Sequence, residues 1–243
     1  SNLTSDEKYN RLKILLDFDL DQENSVLFID EIQESEELIS ELKYFCEKHN
    51  DVRIIFAGSL LGVKLKRSKF SFPVGKVKML NMYPMDFEEF LMAMNQDMLI
   101  ECIRDCYENN KQISMPIHEK ALNFYKTYLI TGGMPESVKN MVNTKGDYIK
   151  YDKSILNDIV SSYFKDMDKY VNNDMEALKI VRVYNSLPSQ LTNISKKFQY
   201  SNVSKDARSR EYATSLDWLE ASNMVLRCKC VKTPEIPLEG FVD

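Results

Sequence analysis

Asp30 and Glu31 stand side by side at the end of an uninterrupted apolar run, Val26-Leu27-Phe28-Ile29. Adjacent carboxylates at the tip of a buried strand suit nucleotide hydrolysis, in which one carboxylate holds magnesium, usually through water, and its neighbour polarises the water that attacks a γ-phosphate. On that reading Asp30 is the metal and nucleotide ligand and Glu31 the catalytic group. Ser59, at the end of the next apolar run, Val52-Arg53-Ile54-Ile55-Phe56, could hydrogen-bond the attacking water or the phosphate. An Asp-Glu pair also follows strands simply as a solvated turn, so the two residues alone are weak evidence. The usual companion of such a strand is a loop G-x-x-x-x-G-K-[ST], and the chain has only seven glycines in which to find it. None fits. Gly58 to Gly62 is one residue short, and Val63 separates Gly62 from Lys64.

The elements that must position these residues follow from apolar periodicity. Residues 4–16 predict a helix with Leu12, Leu15 and Leu16 on its apolar side, behind the capping start Thr4-Ser5-Asp6-Glu7. Val26–Ile29 and Val52–Phe56 lack alternation, which predicts strands buried on both faces of a parallel sheet. Between them, Glu36–Lys48 places Leu38, Leu42 and Phe45 on one helical face. Strand, helix and strand make a βαβ unit, and open sheets of such units bind ligands beyond the carboxyl ends of their strands, where Asp30, Glu31 and Ser59 would meet.

A basic stretch over 64–78 leads to Met79–Pro84, a candidate short strand, and to a helix over Asp86–Met94. Helical patterning continues to about 175, broken at Asn109-Asn110, Pro116, Gly132-Gly133-Met134-Pro135 and Thr144-Lys145-Gly146; the Gly-Gly pair reads as a helix stop that permits close packing. Met175–Leu187 and Ser189–Phe198 predict two helices separated by Pro188, Ser204–Ala221 a third, and Met224–Val231 a strand. Three short helices and a strand are the skeleton of a winged helix, and Lys205, Arg208 and Arg210 would stand at the start of its third helix as candidate nucleic-acid contacts. The expected division is an incomplete P-loop ATPase core over 1–95, a helical region over 96–175, and a winged-helix-like module with linker over 176–243.

Composition narrows the alternatives. The 243 residues, 44% hydrophobic, can bury one large core or two modest ones. No stretch approaches the roughly 18 uninterrupted apolar residues of a membrane helix, so no membrane partner and a cytoplasmic location are expected. Five cysteines without a C-x-x-C pair indicate neither a disulfide scaffold nor a zinc ribbon, and the two histidines, His49 and His118, are too isolated for a metal site or a triad. The net charge of −5 hides an uneven distribution, since residues 178–232 hold ten basic against four acidic side chains. A basic module near the end suits DNA or an acidic protein surface.

The chain resembles a family of predicted prokaryotic ATPases with an AAA+-type nucleotide-binding domain followed by a helical and winged-helix region. The resemblance rests on Leu27-Phe28-Ile29-Asp30-Glu31-Ile32-Gln33, Leu42-Lys43-Tyr44-Phe45-Cys46-Glu47, Ile55-Phe56-Ala57-Gly58-Ser59-Leu60-Leu61-Gly62-Val63, Ser71-Phe72-Pro73-Val74-Gly75-Lys76-Val77, Tyr83-Pro84-Met85-Asp86-Phe87-Glu88-Glu89-Phe90-Leu91 and Gly132-Gly133-Met134-Pro135-Glu136. It implies an α/β fold, a partial P-loop NTPase sheet followed by a mostly helical region, with Asp30 and Glu31 as the Walker B carboxylates and Ser59 as the polar sensor. It also implies ATP and Mg2+ as cofactors of the full-length protein. Family members begin with a phosphate-binding loop ahead of the segment matching Leu3 and continue into a nuclease-like domain, so the chain is expected to be an internal fragment, inactive and without bound nucleotide by itself. DNA and further copies of the chain are the expected partners. The alternative expectation is a DNA-binding module in which a degenerate ATPase core positions a winged helix.

Overall fold

The computed structural model describes residues 4–35, 37–39, 45, 47–49, 51–58, 77–171, 173–194, 197–205, 208–231, 233 and 235–241. The fold is mostly helical with one small parallel sheet, and its contacts divide into two compact units, one built from Ser1–Leu80 and Met175–Asp243, the other from Asn81–Asp174.

In the first unit, helix α1 (Ser5–Leu16) opens on a capping box: the Thr4 hydroxyl accepts from the Glu7 amide at 3.3 Å, and the Glu7 carboxylate accepts from the Thr4 amide at 2.8 Å. The helix ends at Asp17 in the left-handed region. Its buried side differs from the one the sequence predicts. Leu15 and Leu16 are exposed, and Tyr9 is buried instead, stacked on His49 with ring centroids 4.1 Å apart. A leucine face needs an apolar surface opposite it, whereas the chain brings an aromatic ring and Phe45 to the Tyr9 side.

Strands β1 (Leu27–Ile29) and β2 (Ile54–Phe56) pair in parallel with Leu27 opposite Ile54, Phe28 opposite Ile55 and Ile29 opposite Phe56. The described residues between them at 37–39, 45 and 47–48 are helical, which completes the expected strand, helix, strand order. Ile29 and Phe56 pack with Ile32, Leu38 and Ile39. The other face departs from expectation. Phe28 and Ile55 are 59% and 54% exposed, so the sheet is buried on one face only. An unbroken apolar run is compatible with two-sided burial but cannot supply the second covering layer.

The second segment of this unit holds helices α7 (Asp174–Thr192) and α8 (Ser209–Ala221). Pro188 lies inside α7, so the predicted break there does not occur. Proline removes one backbone donor and crowds the preceding turn. Hydroxyls on either side take up carbonyls nearby, with Ser186 Oγ donating to the Val183 carbonyl at 2.7 Å and Ser189 Oγ to the Ser186 carbonyl at 2.9 Å. Ala177, Ile180 and Val183 on α7 and Tyr212, Trp218 and Leu219 on α8 are buried, and the Lys179 ammonium lies over the Tyr212 ring at 6.0 Å. The helix expected from Ser204 starts at Ser209, and residues 224–230 form no strand. Alternation marks a segment able to line a sheet, but its backbone groups still need a partner strand, and none pairs with it among the described residues.

The second unit is helical: α2 (Phe87–Ala93), α3 (Asp97–Glu108), α4 (Met115–Thr131), α5 (Pro135–Asn143) and α6 (Ser154–Tyr170). Asp86 caps α2 in a second capping box with Glu89, where the sequence places it. Leu91, Leu99 and Ile100 form a core closed by Ile103, Ile117, Ala121 and Phe124. The Gly-Gly stop has two separate jobs. Gly132 ends α4 at φ +71°, and a Cβ on Gly133 would lie 2.1 Å from the Met85 carbonyl oxygen. The Met85 amide donates to the Gly133 carbonyl at 2.8 Å, and the Tyr128 hydroxyl donates to the Met85 carbonyl at 2.9 Å. Burial pushes the Tyr128 phenol's pKa up, which keeps it a donor. Gly133→Ala is therefore expected to destabilise the chain by about 3 kcal/mol through backbone overpacking, read by chemical denaturation, with Gly240→Ala, where a Cβ meets nothing within 4 Å, as the near-neutral control.

Candidate active site

The site starts from the pairing of β1 with β2. Leu27 donates to the Arg53 carbonyl at 2.8 Å and Ala57 to the Ile29 carbonyl at 2.9 Å, so both strands end at the same edge. The Ile32 amide then donates to the Ala57 carbonyl at 3.0 Å, which fixes the turn after β1 against the end of β2. Asp30 and Glu31 occupy that turn, both exposed. Glu31 takes φ +50°, ψ +43°, a left-handed conformation that costs a non-glycine residue about 1–2 kcal/mol. Strain of this kind clusters where the position of a side chain matters.

Two contacts hold the carboxylates in place. The Asp30 Oδ1 accepts from the Glu31 amide at 2.9 Å, and the Gln33 side-chain amide donates to Glu31 Oε2. Gln33 is fully buried in the short 3-10 turn Ile32–Glu34, beside the buried Ile32. From sequence Gln33 could equally orient water, contact a neighbouring subunit or cap a helix; in the structure it grips Glu31 from beneath. The sequence carries no signal that separates these roles, and burial is what makes the residue informative.

Ser59 lies outside the described residues, as do Lys64, Lys66, Arg67, Lys69 and Lys76 of the basic stretch. Asp30 and Glu31 are thus the predicted site residues brought together, with Ala57 and Gly58 beside them at the strand ends. Magnesium binds through one or two carboxylates together with waters and phosphate oxygens, and does not require a cage of protein ligands. Asp30 fits that limited role, since only its Oδ1 takes up the Glu31 amide. Among the described residues no group of three or more His, Cys, Asp or Glu side chains could hold a metal ion by itself.

Residues 2–91 match the family described as AAA domain. The match supports an AAA-type ATPase domain over that segment, with a P-loop-like fold and nucleotide chemistry, and AAA ATPase domains generally use ATP and Mg2+. Residues 122–239 match a second family, Domain of unknown function (DUF8612), which runs from within α4 almost to the end of the described chain and so covers both the later helices of the second unit and helices α7 and α8. No curated protein and no solved structure matches the chain. Among the described residues no helix is long and apolar enough to cross a membrane.

Lys205, Arg208 and Arg210 stand elsewhere, around the start of α8, with Arg208 at its N-cap position. All three are exposed. Arg227, by contrast, is paired with Asp217 at 2.7 Å and Glu220 at 3.3 Å. Cations at a helix N-terminus oppose its dipole, an arrangement that an anion would relieve.

The grip of Gln33 on Glu31 can be measured directly. A double-mutant cycle with Glu31→Ala and Gln33→Ala is expected to give a coupling of about 1–2 kcal/mol in urea denaturation, since a charged acceptor is involved. Additive single-variant effects would show that the contact does not order the carboxylate.

Proposed function

We propose that Asp30, Glu31 and Ser59 form the hydrolytic half-site of an AAA-type ATPase, the Walker B carboxylates and the sensor. The observation that carries the proposal is the pair of carboxylates at the shared carboxyl edge of two parallel strands, one of them held in a left-handed turn by a buried amide. Bound magnesium would supply charge neutralisation of the phosphates. Asp30 would hold it through its exposed carboxylate. Glu31, anchored through Oε2 to Gln33, presents its remaining oxygen to a water and takes up the proton as that water attacks. Ser59 would donate a hydrogen bond to the water or the γ-phosphate.

The chain lacks a G-x-x-x-x-G-K-[ST] segment, and without those amides and lysine the triphosphate loses its main cradle. On this reading turnover requires a phosphate-binding loop that this sequence does not hold, and in a full-length cytoplasmic protein that supplies one the hydrolysis would drive movement of the helical region that holds α7 and α8. In that full-length protein Glu31→Gln is expected to lower kcat at least about a hundredfold while ATP binding persists, which a coupled phosphate-release assay and a binding titration read separately. Unchanged turnover would sink the assignment.

A second reading is favoured by the exposed cations around the start of α8: a DNA-binding module in which the ATPase core is degenerate and positions the basic helical region that holds α7 and α8. Changing Lys205 and Arg208 to alanine should weaken binding to duplex DNA about uniformly across sequences and lower the dependence of affinity on salt by roughly two phosphate contacts. No binding at low salt, by fluorescence anisotropy, removes this reading.

A further inference from the structure

Helix α4 carries a second ordered face that the core does not use. Its inner face, Ile117, Ala121 and Phe124, packs against Leu91, Leu99 and Ile100. One residue further round, about 100° about the helix axis, Met115, His118, Leu122, Tyr125 and Leu129 recur at alternating spacings of three and four. All five are exposed, Met115 by 67% and Leu129 by 64%. The Tyr125 ring meets Phe87 edge-on at 5.2 Å, which steadies it without covering the seam. This is the heptad pattern of a coiled-coil face, with Met115, Leu122 and Leu129 at a and His118 and Tyr125 at d.

The flanking charges select the occupant. Glu119 and Lys126 hold successive e positions, both exposed. In an antiparallel pair of helices e faces e, so Glu119 meets the partner's Lys126 and Lys126 meets the partner's Glu119, while Leu122 packs on the partner's Tyr125 and His118 on the partner's Leu129. A parallel pair would set each e position against g, where Ala121 and Tyr128 offer no charge. A reciprocal contact of this kind is what a two-fold interface requires, with each residue meeting the partner's copy of the residue it serves.

We propose that α4 is a self-association surface, on which a second copy of this chain packs its own α4 in antiparallel register, pinned by two Glu119–Lys126 pairs. The helix has 17 residues, about 26 Å, so the contact is smaller than a standard stable interface and association at micromolar concentrations is expected.

Sedimentation equilibrium on the chain tests this, with circular dichroism confirming that each variant is folded. Wild type should pass from monomer to dimer with concentration, and Leu122→Asp should abolish the dimer. Glu119→Lys and Lys126→Glu should each weaken self-association about tenfold, because each turns both pairs into like charges. An equimolar mixture of those two variants should regain the wild-type dimer. In the mixed dimer the reversed charge at position 119 of one variant faces the reversed charge at position 126 of the other, and the unaltered Lys126 and Glu119 still attract across the second pair. A chain that stays monomeric throughout overturns the proposal. So does self-association indifferent to all three substitutions, which would assign it to another surface such as the exposed side of β1 and β2, and so does a mixture no tighter than its components.

Discussion

Parallel pairing of β1 with β2 is the constraint on which the candidate site depends. Two adjacent parallel strands run in the same direction, so the chain must cross back between them, and the residues that follow each strand emerge at one edge. Here the crossover occupies the residues between Ile29 and Ile54, and the edge holds Asp30 and Glu31 beside Ala57 and Gly58. Had the strands paired antiparallel, the end of β2 would lie at the opposite end of the sheet. The amide of Ile32, bonded to the Ala57 carbonyl, then converts this pairing into a fixed turn.

Within that turn, position is obtained against local preference. A left-handed glutamate is disfavoured, yet Ile32 is buried beneath it and Gln33 reaches up to its carboxylate. The turn is therefore set by the packing below it as well as by Glu31 itself. The same logic recurs at Gly133, where the backbones of two segments meet so closely that the side chain must vanish. At Gly133 the identity of the residue is dictated by a contact made far along the sequence, whereas Glu31 is held by its immediate neighbours.

Local features were legible from the amino acids. Both capping boxes, at Thr4 with Glu7 and Asp86 with Glu89, depend on residues three apart, and their chemistry is complete in the sequence. The two apolar runs similarly announced the two strands. What depended on distant partners was not legible. The apolar run of β1 reads the same whether one face or two are covered, Pro188 reads as a break unless the surrounding turn accommodates it, and the alternation over Met224–Val231 says nothing about whether a neighbouring strand exists. Gln33 could be recognised as polar, but its burial, and hence its hold on Glu31, belongs to the folded turn.

The exposed rung formed by Phe28 and Ile55 has a practical meaning for handling the molecule. Uncovered apolar side chains on a short sheet are a sticky surface that small apolar molecules can reach. Detergents or apolar dyes will find that face before they find the closed core around Leu91.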